Sequence, residues 1–193
     1  MSLLVLGLVL FLGVHSARIV AEGPRQAFIA KRGPGAWKGL YTLVSLAGFA
    51  ILIWGYGVAR QQPTVLWATP TWAKHVAALL TLLSFVLLTA AYVPGNGIKA
   101  RAHHPMVLGV KVWAFAHLLA NNTLADLLLF GGFLAWSIAS FAAARRRDRA
   151  AGTVYAPGRA SRTVSTVVIG CVAWLVFALW LHGWLIGVRP FGA

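Results

Sequence analysis

His117 stands in "WAFAH", inside an apolar run, with Trp113 four residues before it and Asn121 four residues after it on the same helical face. An imidazole at membrane depth has no water to solvate it, and ionisable groups there cost ~2.5 kcal/mol or more on insertion scales, so it must find a partner. His15, in "HSAR", is the second candidate, although Arg18 and Glu22 share its face and offer an ordinary ion-pair explanation. His75 and His182 lie near Trp72, Trp180 and Trp184, where an interfacial tryptophan belt accounts for them. Two neutral imidazoles facing each other across an apolar pocket can hold a haem iron axially. Aromatic and Leu side chains suit the macrocycle, and a cation such as Arg18 can pair with its propionates. Asp126 opens the next helix, where it can cap free N–H groups or accept the second ring N–H of a metal-bound His117.

The other polar residues have simpler uses. Lys111 is about 120° around the helix from His117 and can snorkel toward the headgroups. His103 and His104 precede Pro105 at the helix entrance, suited to capping or headgroup contact. Glu22, Asp126 and Asp148 are the only acids. No carboxylate-rich dinuclear metal centre and no hydrolytic site can be assembled from them.

The elements that must position these side chains are transmembrane helices. The 193 residues are 60% hydrophobic, and a ~30 Å hydrocarbon core takes about 20 apolar residues as helix. Apolar runs at 2–17, 39–59, 72–92, 106–120, 124–144 and 164–186 predict an all-α polytopic bundle of six transmembrane helices, forming one domain over residues 1–193. Thirteen of the seventeen Lys and Arg fall after the first, third and fifth runs, which puts those segments in the cytoplasm and both termini outward, in the periplasm. The first run has no charged segment before it and basic residues after it, so a retained helix is expected rather than a cleaved leader. A net charge of +14 distributed between apolar runs serves topology and does not predict nucleic-acid binding. Cys171, alone in an apolar run, is read as a small buried hydrophobe.

The loops differ in chemistry. "AEGPRQAFIAKRGPGAW" suits a short helix on an anionic leaflet, and "RRRDRAAGTVYAPGRASR" reads as a solvated basic loop. "ANNTLAD" is short enough only for a tight turn, making an antiparallel hairpin of the fourth and fifth helices.

"HHPMVLGVKVWAFAHLLANNTLADLLLFGGFLAW", with "YTLVSLAGFAILIWGYGVAR", "TWAKH" and "HSAR", resembles the NnrU family of membrane proteins, relatives of the plant and cyanobacterial zeta-carotene isomerase. The resemblance runs over roughly residues 10–140. It implies a multi-pass protein of the bacterial inner membrane, linked to denitrification through nitrite and nitric oxide reduction. From the isomerase it implies haem b held by one histidine on the first helix and one in the "AH" motif, which are His15 and His117 here. Counted along their helices these two differ in depth by several ångströms, which keeps His75 or His182 as a fallback opposite His117. The isomerase has a cysteine three residues before the second ligand, where this chain has Ala114. Three functions follow as alternatives: a haem protein of denitrification, an isomerase or redox enzyme acting on a lipophilic polyene, and an assembly factor for respiratory membrane complexes. The bilayer is the expected partner in each, and oligomeric state is left open.

Overall fold

The computed structural model describes residues 1 to 191. Among the described residues the regular elements are helices: α1 (Ser2–His15), α2 (Ala17–Val20), α3 (Glu22–Ala59), α4 (Thr71–Tyr92), α5 (Gly97–Ala102), α6 (Pro105–Ala120), α7 (Leu124–Ala150), α8 (Ala160–Val176) and α9 (His182–Ile186). A π-helical turn, Phe177–Leu181, joins the last two. Four stretches are long and apolar enough to cross a membrane: α3, α4, α7 and the continuous Ala160–Ile186 segment. α1 and α6 are shorter apolar helices. Many large apolar side chains, among them Leu43, Ile53, Leu79, Val168 and Leu185, are exposed, a surface suited to lipid rather than water.

The chain divides into two compact units, Met1–Ala68 with Asn121–Ser140, and Thr69–Ala120 with Phe141–Ala193. In the first, α1 lies along α3 at backbone contact. A Cβ on Gly7 would stand 2.4 Å from the Leu52 nitrogen, one on Gly55 would stand 2.4 Å from the Leu4 nitrogen, and one on Gly48 would stand 2.7 Å from the Phe11 nitrogen. Apolar helices gain nothing from mutual hydrophobic burial inside lipid, so close approach through small residues is what holds such a pair. α3 begins earlier than its apolar run because 22–32 is also helical. Gly33 (φ 84, ψ 160) separates that stretch from the rest, since the residue before Pro34 is driven out of the α region.

At the C-terminal end of α3 the chain folds into a small backbone cross-link. Val65 and Thr123 form an antiparallel bridge, Leu66 N–H donates to Asn122 O, and Leu124 N–H donates to Thr64 O. The turn between α6 and α7 is thus the three residues 121–123, tied to the segment after α3.

In the second unit α4 packs on α6 and α8. Buried Ser84 donates to Gly109 O at 2.8 Å, and Trp174 Nε1 donates to Thr81 Oγ1 at 3.0 Å. α7 continues past its apolar run to Ala150 because its arginines are good helix formers. The segment after it is exposed along most of its length, as a solvated loop is, and is tied at its end to the residues around α5. Asn96 and Arg159 form a parallel bridge, and Asn96 also caps α5 by accepting from Lys99 N–H at 2.7 Å.

Asp148 Oδ2 accepts from Tyr155 at 3.1 Å and meets His104 Nε2 at 2.7 Å. The Tyr155 ring stacks on His103 at 4.1 Å, and Arg145 donates to His103 Nδ1. Desolvation pushes the Tyr155 phenol up, its hydrogen bond to Asp148 and that carboxylate's charge push the same way, and Arg145 opposes them. The neutral phenol is therefore the form that stabilises the fold. Its contribution is complete below about pH 10, the ordinary phenol value, and is lost as pH rises through the elevated folded value. Amide protection across 151–159, taken as exchange relative to the intrinsic base-catalysed rate, should fall above about pH 10, and Tyr155→Phe should remove that fall. An unchanged pH profile in the variant would reject the clamp.

Candidate functional site

His15 closes the last turn of α1. Its Nδ1 donates to Phe11 O at 2.6 Å, the tautomer that leaves the lone pair on Nε2. Its ring lies among Phe11 at 4.3 Å, Tyr41 of α3 at 5.1 Å and Trp136 of α7 at 6.1 Å, the last edge-on. The α1–α3 glycine contacts place Phe11 level with Gly48, and one turn further along α1 the His15 ring reaches Tyr41, two turns from Gly48 on α3. Trp136 Nε1 is buried and has no hydrogen-bond partner among the described residues, a donor that a bound acceptor would satisfy. Beside it, Leu8, Leu12, Val20, Ala135 and Trp136 help to line an apolar cleft of about 520 Å³. Ser16 also lines it, but spends its hydroxyl on Leu12 O at 2.7 Å. Arg18 sits 3.9 Å from Glu22, with its side chain 57% exposed.

His117 repeats the local arrangement of His15. Nδ1 donates to Trp113 O at 2.9 Å, one turn back, and the two rings are 5.0 Å apart. Ala114, where the isomerase has cysteine, is completely buried. Lys111 extends over Phe141, its Nζ 5.2 Å from the ring centroid. The edge of that ring also meets His104. His182 follows the π-turn and donates from Nδ1 to Val188 O at 2.6 Å, with Phe177 edge-on. His75 is exposed on α4.

Asp126 has a full set of partners close by. Its Oδ2 accepts from Thr123 N–H at 3.1 Å and Oγ1 at 2.6 Å, its Oδ1 accepts from Tyr56 at 2.6 Å, and its own N–H donates to Thr123 Oγ1 at 3.2 Å. This is a reciprocal cap at the start of α7. Tyr56 lies fifteen residues along α3 from Tyr41, about 22 Å of helix, so Asp126 is at the opposite end of the first unit from His15. Asn121 is half-buried in the turn.

The described residues contain no group of three or more His, Cys, Asp or Glu able to hold a metal ion by themselves. Two histidines, one in each unit, have the features that a haem ligand would need. His15 and His117 each have Nδ1 committed to the carbonyl four residues back, which orients Nε2 as the ligating nitrogen. Both rings carry aromatic neighbours of the kind a macrocycle packs against. Tyr41, Trp136 and the cleft escaped the sequence reading because they meet His15 from other helices.

Long apolar helices packed through glycine, with histidines set among aromatic rings inside them, define a helical integral membrane protein. The model of the NnrU protein family matches residues 3–190, nearly the whole chain, and the protein belongs to that family. No curated protein and no solved structure matches it.

Proposed function

We propose that this is a haem b protein of the bacterial inner membrane, in which His15 and His117 would hold the iron, with a role linked to nitrite and nitric oxide reduction. The observation that carries the reading is the shared tautomer. In both histidines an N–H donated to the i−4 carbonyl leaves the other nitrogen as the donor atom. In this reading Arg18 and Trp136 would offer a cation and an N–H to the group's carboxylates, and Trp113 would offer an aromatic face. When bound, the group would supply iron-centred redox or ligand-exchange chemistry. The chain's own residues orient the ligands and keep water away.

We further infer that α1 and α6 cross the bilayer with the four longer helices, giving six spans with both termini outward. Thirteen of seventeen basic residues on one side support it. As 14 and 16 residues, the two helices are about 21 and 24 Å long. They therefore require local thinning of a ~30 Å core or extension by flanking turns such as α2.

Protein purified in detergent from haem-replete cells should show a Soret band that His117→Ala and His15→Ala each shift or abolish. A protein with no such band, or with one unchanged in both variants, sinks the proposal. The apolar cleft beside Trp136 favours a second reading, an isomerase or redox enzyme for a lipophilic polyene entering from the bilayer. Expression in a carotene-producing strain that lacks the isomerase tests it, and an unaltered isomer pattern counts against it.

A further inference from the structure

Asp148 is the only acid of the second unit, and it is already engaged by His104, Tyr155 and Arg145. Arg101, Arg146, Arg149, Arg159 and Arg162 are exposed, and their side chains meet no acid or acceptor among the described residues. The segment that carries most of them is held in place. A Cβ on Gly158 would stand 2.2 Å from the Gly97 nitrogen. Arg159 N–H donates to Gly95 O at 2.8 Å, and Gly97 N–H donates to Thr163 Oγ1 at 2.8 Å. Arg146 and Arg149, one turn apart on α7, follow directly on its apolar stretch. Arg159 and Arg162 open α8 just before its apolar residues begin at Val164.

Cations at the start of α8, with no acid in its first turn, stand against the helix dipole. Topology accounts for the side of the bilayer on which they stand, and an external anion would offset the unfavourable dipole interaction. Guanidinium forks match phosphate oxygens in two-point contacts. The backbone that carries Arg159 and Arg162 is held, so only the side chains must order when an anion arrives. Their position, at the ends of two apolar helices, is the level at which lipid headgroups lie.

We propose that the exposed arginines at the end of α7 and the start of α8, Arg146, Arg149, Arg159 and Arg162, bind the phosphate-bearing headgroups of anionic phospholipids. The site is independent of the haem reading.

The test follows the melting temperature of the full chain in neutral detergent as phosphatidylglycerol, phosphatidylcholine or inorganic phosphate is added. Phosphatidylglycerol should stabilise at concentrations about tenfold or more below phosphatidylcholine, because each cation near an anionic surface contributes roughly fivefold. Replacing all four arginines by Gln should erase that preference, and so in part should the pair Arg159→Gln and Arg162→Gln. The corresponding four Arg→Lys changes should keep most of it, as should Lys74→Gln at the far end of α4. A Gln variant that retains the full preference overturns the proposal. So does an inorganic phosphate response equal to that of phosphatidylglycerol, because the site would then serve a free anion.

Discussion

Gly55→Leu, and separately Gly7→Leu, should each destabilise the first unit by about 3 kcal/mol or more, at the upper end of what overpacking costs. The reason is the identity of the obstructing atoms. A side chain on Gly55 meets the Leu4 nitrogen and the Leu3 carbonyl carbon, and one on Gly7 meets the Leu52 nitrogen and Cα. Backbone cannot rotate aside as a side chain can, so α1 must move away from α3 along its length. The displacement also reaches the site, because the same contact holds Phe11 and His15 against Tyr41. Thermal unfolding in detergent measures the first effect, and under the proposed haem reading weaker haem retention would report the second. Gly57→Ala is the control on the same helix, since nothing lies within 4 Å of its added carbon. It should be neutral or slightly stabilising, as alanine is the better helix former. A Gly7→Leu protein that melts with the wild type would show that α1 and α3 are not in backbone contact.

Those glycines also mark how far the sequence is legible. The apolar runs identify the long helices because hydrocarbon length is a property of consecutive residues, and "WAFAH" identifies the Trp113–His117 pair because both lie one turn apart on α6. The Gly33 break could also be anticipated, since Pro34 restricts its neighbour. What stayed hidden depends on residues distant in the chain. Tyr41 and Trp136 reach His15 from α3 and α7, and Thr64 and Leu66 pair with Leu124 and Asn122 through backbone groups that have no side-chain signature. The segment 145–163 has the composition of a solvated loop, yet Asp148 and Tyr155 bind it to His103 and His104. Charge composition predicts where such a segment sits relative to lipid, but not which of its residues find one another.

Asp126→Ala should cost about 3 kcal/mol, because it removes the acceptor of three hydrogen bonds at a position only 6% exposed. The Tyr56 hydroxyl, the Thr123 hydroxyl and the Thr123 N–H would be left in a place where little water can replace the carboxylate. Tyr56→Phe removes one of these bonds and should cost about 1.5 kcal/mol, in the range for a hydrogen bond to a charged group. The double variant should therefore be less destabilised than the sum, with a coupling of about 1 kcal/mol. Exchange of the Leu66 and Leu124 amides should quicken in Asp126→Ala, because Thr123 and its neighbours form the backbone cross-link that those amides close. The same variant separates the two uses of this carboxylate. An anchor at the start of α7 lowers the melting temperature and leaves any Soret band at its wild-type position, whereas a carboxylate acting on the His117 ring shifts that band. A melting temperature unchanged in Asp126→Ala would reject the anchor, and the spectrum of the same sample would then decide whether the histidine is its partner.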